Sequence, residues 1–75
     1  MASTGIVQIW HRDEGWGVLE SEDTPGGCWA HFSAIAGDGF RALLEDETVD
    51  FEWERPRGGQ DGYVFRATTV ERHQR

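Results

Sequence analysis

Two short runs of alternating large and small residues face each other across one compact break. Glu14-Gly15-Trp16-Gly17-Val18-Leu19 comes first, then Glu22-Asp23-Thr24-Pro25-Gly26-Gly27, then Cys28-Trp29-Ala30-His31-Phe32. On a strand, successive side chains point to opposite faces. Trp16 and Val18 therefore share one face, and Gly17 and Leu19 the other. Trp29 and His31 share a face that Phe32 joins only if a bulge or the strand end turns it around. The Pro-Gly-Gly break is a turn, so the two runs are adjacent strands. Gly15 and Gly17 are poor strand formers; one reading is that a flat partner approaches the backbone between the rings.

The flanking segments extend the pattern. Gly5 to His11 reads as a first strand, with Val7 and Ile9 on one face and Gln8 and Trp10 on the other if it is regular. Arg12-Asp13-Glu14-Gly15 is a hairpin loop ending on a left-handed glycine. Ser33-Ala34-Ile35 reads as a single helical turn capped by Ser33. The connection from Ala36 to Thr48 is the longest, with a candidate helical turn at residues 41–45. Val49 to Glu54 alternates strictly, with Val49, Phe51 and Trp53 opposite Asp50, Glu52 and Glu54. A flexible loop, Arg55 to Gly62, precedes a fifth strand from Tyr63 to Val70, and residues 71–75 form a frayed tail. Five short strands without a real helix predict an all-β chain: a small five-stranded antiparallel barrel, closed because closure removes exposed edges. The chain is one domain, 1–75, with its core at about 5–70. Val7, Leu19, Ala30, Ile35, Val49 and Val70 are core candidates, with Ile6, Cys28 and Phe51 behind them.

Composition limits the chemistry. A chain of 75 residues has a small core. The lone Cys28 forms no internal disulfide, and His11, His31 and His73 have no metal-knuckle spacing. No basic and apolar leader and no membrane-length apolar run occurs. The expectation is a soluble, reduced, cytoplasmic domain without metal or cofactor. The net charge of -7 opposes phosphate binding, but the charge is unevenly placed. Residues 55–75 hold five Arg against two acids, and lysine is absent throughout. Arginine stacks on flat partners as well as pairing with phosphate.

Aromatic residues in small domains are commonly core. Here Leu19 and Ala30 already supply the inward face, so Trp16, Trp29 and Phe40 have no burial reason to sit opposite them. Such a cluster marks an interaction surface, and aromatics interleaved with glycine suit nucleic-acid bases. Trp10 stays open between the two faces, because a bulge near the strand end decides it. Arg55 and Arg57 stay open between solvated loop residues and phosphate contacts. Trp53 reads as packing, and the acidic face from Glu45 to Glu54 as solvated surface. No nucleophile or acid–base pair lies in a catalytic setting; His11, Asp13 and Glu14 share a wet hairpin, and Cys28 packs as a small apolar residue.

Taken in order, Gly5-Ile6-Val7, Gly15-Trp16-Gly17-Val18-Leu19, His31-Phe32-Ser33-Ala34-Ile35 and Asp38-Gly39-Phe40 resemble the bacterial cold-shock proteins. That family has a five-stranded OB-type barrel and two RNP-like motifs. Its usual Lys-Gly-Phe-Gly-Phe-Ile looks like Glu14 to Leu19 here, and its Val-Phe-Val-His-Phe looks like Cys28 to Phe32. The resemblance implies a base-stacking surface of Trp10, Trp16, Trp29, His31, Phe32 and Phe40. Val18 and Ile9 stand at positions that are usually aromatic, and Gln8 and Glu14 where the family has lysines. Val18, Gln8 and Arg57 complete the candidate nucleic-acid contacts. The function implied is binding of single-stranded RNA or DNA with modest sequence preference, by a monomer acting as an RNA chaperone or a regulator of transcription or translation. The missing lysines imply weaker binding that leans on stacking. A reading from another class is an acidic protein-interaction module on the same barrel.

Overall fold

The branched and aromatic runs become five strands because each has one apolar face to bury and a turn at its end. The computed structural model describes residues 2–36 and 42–73. The strands are β1 (Ala2–His11), β2 (Trp16–Glu20), β3 (Cys28–His31), β4 (Thr48–Glu54) and β5 (Phe65–Arg72), with a 3-10 turn at Phe32–Ala34 after β3. They close into a barrel in the order β1-β2-β3-β5-β4, all-β as the alternation predicts. Every pairing between these five strands is antiparallel except the short parallel seam between β3 and β5.

Transverse rows of inward side chains fill the barrel. Val7, Leu19, Cys28 and Phe65 are successive register partners across four strands and all are buried. A second row is Trp10, Gly17 and Ala30. Val49, Phe51, Ala67, Val70 and Ile35 close the remaining side, and Ala42 and Leu43 enter the same core from the long connection. Each fully buried Val or Leu contributes about 1.5–3 kcal/mol relative to exposure. All six first-rank core candidates are buried, as are Cys28 and Phe51.

Two bulges decide which residues those rows contain. On β1 the register steps from Val7↔Leu19 to Ile9↔Val18, so Gln8 is an extra residue. On β5 it steps from Thr69↔Glu52 to Ala67↔Trp53, so Thr68 is extra. Bulges bend a strand and increase its twist, which a five-stranded closure requires. Upstream of Gln8 the even residues of β1 face out, so Ile6 is exposed and not core.

Local details depart from the predicted ones where a side chain outranks propensity. The turn after β3 is capped by His31, whose Nδ1 accepts from the Ser33 N–H, and not by Ser33. Residues 42–47 form no helix; the Glu47 N–H closes a turn on the Leu44 carbonyl at 3.1 Å, with Asp46 at φ +70°. Tyr63 bridges to Gln60 outside the sheet, so β5 begins two residues later than predicted. It then continues through Glu71 and Arg72, two residues predicted to fray.

Candidate nucleic-acid interface

The outward face of β1, β2 and β3 carries the rings. His11 pairs with Trp16 across β1 and β2, and Trp16 pairs with His31 across β2 and β3. Two pairs further along, Ile9 faces Val18, and Val18 faces Trp29. Paired residues leave a sheet on the same side, so these registers set the rings beside one another. Centroids lie 4.4 Å apart for His11–Trp16, 6.3 Å for Trp16–Trp29, 5.9 Å for Trp29–His31 and 4.5 Å for His31–Phe32. Trp16 and Trp29 are inclined by only 22°, and Trp29 and His31 by 18°. Phe32 joins the file because the 3-10 turn begins there and swings its ring outward, leaving it 42% exposed.

Hydrogen bonds fix two of these rings. The Ser33 N–H can only donate, so His31 Nδ1 is an acceptor, and the neutral ring carries its proton on Nε2. The Ser33 hydroxyl lies 2.8 Å from the same nitrogen. Trp16 Nε1 donates to Glu14 Oε1 at 2.8 Å. The acid at the hairpin thus anchors the indole while placing a negative charge at its edge.

The sequence-predicted set divides. Trp16, Trp29, His31 and Phe32 come together, and Gln8 points outward at the β1 bulge. Arg57 is exposed in the loop between β4 and β5, where Arg55 lies over the Phe65 ring at 5.8 Å. Phe40 lies outside the described residues. Trp10 is corrected: it is 8% exposed and part of the core, because the extra residue at Gln8 rotates it inward. Val18 is corrected as well. It shares the face of Trp16 but is 1% exposed, close beneath Gly27 and so closed to a ligand.

The glycines also serve the protein itself. A Cβ on Gly17 would lie 2.3 Å from Trp10 Cε3, and one on Gly15, at φ +78°, would lie 2.8 Å from the Phe32 ring. The close approach that these glycines permit is by the chain's own rings. His11 was missed by spacing alone. Its place beside Trp16 follows from the same bulge that buries Trp10, and bulges leave no mark in an alternation count.

Among the described residues no group of three or more His, Cys, Asp or Glu side chains could hold a metal ion, and no helix is long and apolar enough to cross a membrane. Burial pushes the Cys28 thiol up to about 12, so it is no ready nucleophile. Asp50, on the far side of the barrel, is held below the usual carboxylate range by hydrogen bonds from Thr4 and His73.

Comparison with known proteins agrees with this architecture. The model of the 'Cold-shock' DNA-binding domain matches residues 3–70. The chain is 37% identical over 63 residues to the major cold shock protein of Micrococcus luteus, covering 83% of this chain and 94% of the relative. It is 38% identical over 65 residues to a cold shock-like protein of Shewanella violacea, covering 85% and 93%. To a cold shock-like protein of Bacillus anthracis it is 45% identical over 56 residues, covering 72% and 79%. Barrel, ring-bearing strands and relatives converge, and the chain belongs to the cold-shock domain family.

Proposed function

We propose that this protein binds single-stranded RNA or DNA by stacking bases on the file of His11, Trp16, Trp29, His31 and Phe32, and acts as an RNA chaperone or regulator at the transcript level. The observation that carries the reading is the shallow inclination of Trp16, Trp29 and His31 on one outward face. Their arrangement offers several stacking places side by side, each worth about 1–3 kcal/mol. Stacking accepts any base, so sequence preference is modest. Unpaired strands expose both faces of a base, and a surface that captures them draws hairpins toward the open form. The cold-shock domain family and its relatives support nucleic acid as the partner.

The test is tryptophan fluorescence during titration with oligothymidine at low and moderate salt, on the wild type and on W16A and W29A. Saturable quenching with a shallow salt slope is expected. Each substitution should weaken binding about five- to hundredfold, the equivalent of one lost stack. Unchanged affinity in both variants would remove the ring file from the mechanism. The Glu14 carboxylate on Trp16 and the net charge of -7 favour one other reading, an acidic protein-interaction module. Absence of quenching at low salt, with pulldown partners that survive nuclease, would select it.

A further inference from the structure

One transverse row of outward residues crosses all five strands: Ile9, Val18, Trp29, Arg66 and Glu54 are successive register partners. Arg66 is the partner of Trp29 across the parallel seam, so its side chain leaves the sheet beside the central ring of the file. Its neighbours Phe65 and Ala67 are buried, which fixes Arg66 outward. The guanidinium is turned away from Trp29 toward β4. Nε donates to Glu54 Oε2 at 3.0 Å, Nη2 reaches the same oxygen, and Nη1 donates to Gln60 Oε1 at 3.2 Å. A cation adjoining the ring file is therefore already neutralised by an acid of the same row.

We propose that Arg66 is a phosphate-binding residue of the interface and that Glu54 is its built-in competitor. The inference rests on the nucleic-acid reading above. A strand whose bases lie on Trp16 and Trp29 continues across the seam and brings a phosphate to the guanidinium. That phosphate replaces the Glu54 carboxylate as acceptor. The exchange is cheap, because the two side chains are 38% and 46% exposed, and ion pairs with such access to water contribute little. Arginine accepts either anion through the same fork of N–H donors. No proton moves and no bond is made or broken; one ion pair replaces another. Since Glu54 gives up the guanidinium as the phosphate arrives, Arg66 releases few counterions in the wild type. The salt slope is then shallower than the number of contacts suggests.

The experiment is a double-mutant cycle, E54Q, R66Q and E54Q/R66Q, read by oligothymidine quenching over a series of salt concentrations. E52Q serves as control, because Glu52 is an exposed acid two residues earlier on the same strand. E54Q should bind about three- to tenfold more tightly than wild type, with a salt slope steeper by about 0.7, the value for one additional phosphate contact to a single strand. E52Q should change affinity less than twofold. R66Q should weaken binding, and in its background E54Q should have no more effect than E52Q.

Equal effects of E54Q and E52Q, or an additive cycle, would overturn the proposal while leaving the ring file standing. Loss of quenching in the wild type itself would instead overturn the reading on which it rests. Thermal melts keep stability and binding apart.

Discussion

Replacing Gly17 with alanine adds a methyl carbon 2.3 Å from Trp10 Cε3 and 2.4 Å from the carbonyl oxygen of Ile9. Ordinary contacts begin near 3.4 Å, so the overlap is about 1 Å against both partners. The indole can yield only by pushing into Ala30, Leu19 and their neighbours in the core. The Ile9 carbonyl is backbone, and its retreat parts β1 from β2 at the Trp10↔Gly17 pair. Overpacking of a filled core costs about 1–3 kcal/mol, and each ladder hydrogen bond lost adds about 1 kcal/mol. The sum, roughly 2–4 kcal/mol, is a large part of the roughly 4–11 kcal/mol available to a domain of this size.

At about 4–8 °C per kcal/mol, the unfolding midpoint of G17A should fall by roughly 10–30 °C. Circular dichroism melts of wild type, G17A and G17A/W10L measure it. The double variant frees space for the methyl on the ring side, but the Ile9 carbonyl remains, so it should not recover the wild-type midpoint. A G17A midpoint within about 3 °C of wild type, together with lost oligothymidine binding, would refute the reasoning. The glycine would then serve the ligand and not Trp10.

Glu14 makes two opposed contributions that two substitutions separate. E14Q keeps an acceptor for Trp16 Nε1 and removes the charge, so affinity for oligothymidine should hold or rise; E14L removes both and should bind about two- to tenfold more weakly than E14Q, the equivalent of one hydrogen bond. Equal gains in both variants would mean that only charge matters. Asp50 gives stability a dependence on acid. Its folded-state pKa lies below the ordinary 3.8, first through the Thr4 hydroxyl and then through His73, so its contribution is complete above that value and is lost as pH falls through the depressed one. The midpoint difference between wild type and T4V should be greatest near neutrality and should close on acidification. A difference that widens in acid would contradict the assignment.

The barrel was legible because its information is local. Val49, Phe51 and Trp53 alternate without interruption, the turns at Gly15 and Gly26-Gly27 carry their own glycines at positive φ, and Leu19 and Ala30 name the inward face. Trp16, Trp29 and His31 followed from the same alternation. Trp10 and His11 did not, because their directions depend on one unpaired residue whose position is set by the partner strand. Val18 was placed on the correct face, yet Gly27, at the end of the turn before β3, lies close against its side chain. The link between Arg66 and Trp29 joins residues 37 positions apart across a parallel seam, which no spacing within either strand announces.

Strand β1 can be described by parity. Before Gln8 its inward residues carry odd numbers, Ser3, Gly5 and Val7; after it, Trp10 is inward and the odd residues Ile9 and His11 look out. One strand thus runs two codes joined by a phase change, the first shared between β4 and β2 and the second written for β2. Deleting Gln8 would barely alter composition and would merge the two codes into one regular alternation, because Val7, Ile9 and Trp10 would then pair consecutively with Leu19, Val18 and Gly17. Val7 and Trp10 would both stay inward, and the bend and added twist that the bulge gives β1 would be lost. Chains of this architecture are therefore compared correctly along β1 only when the two halves are counted separately from their own ends.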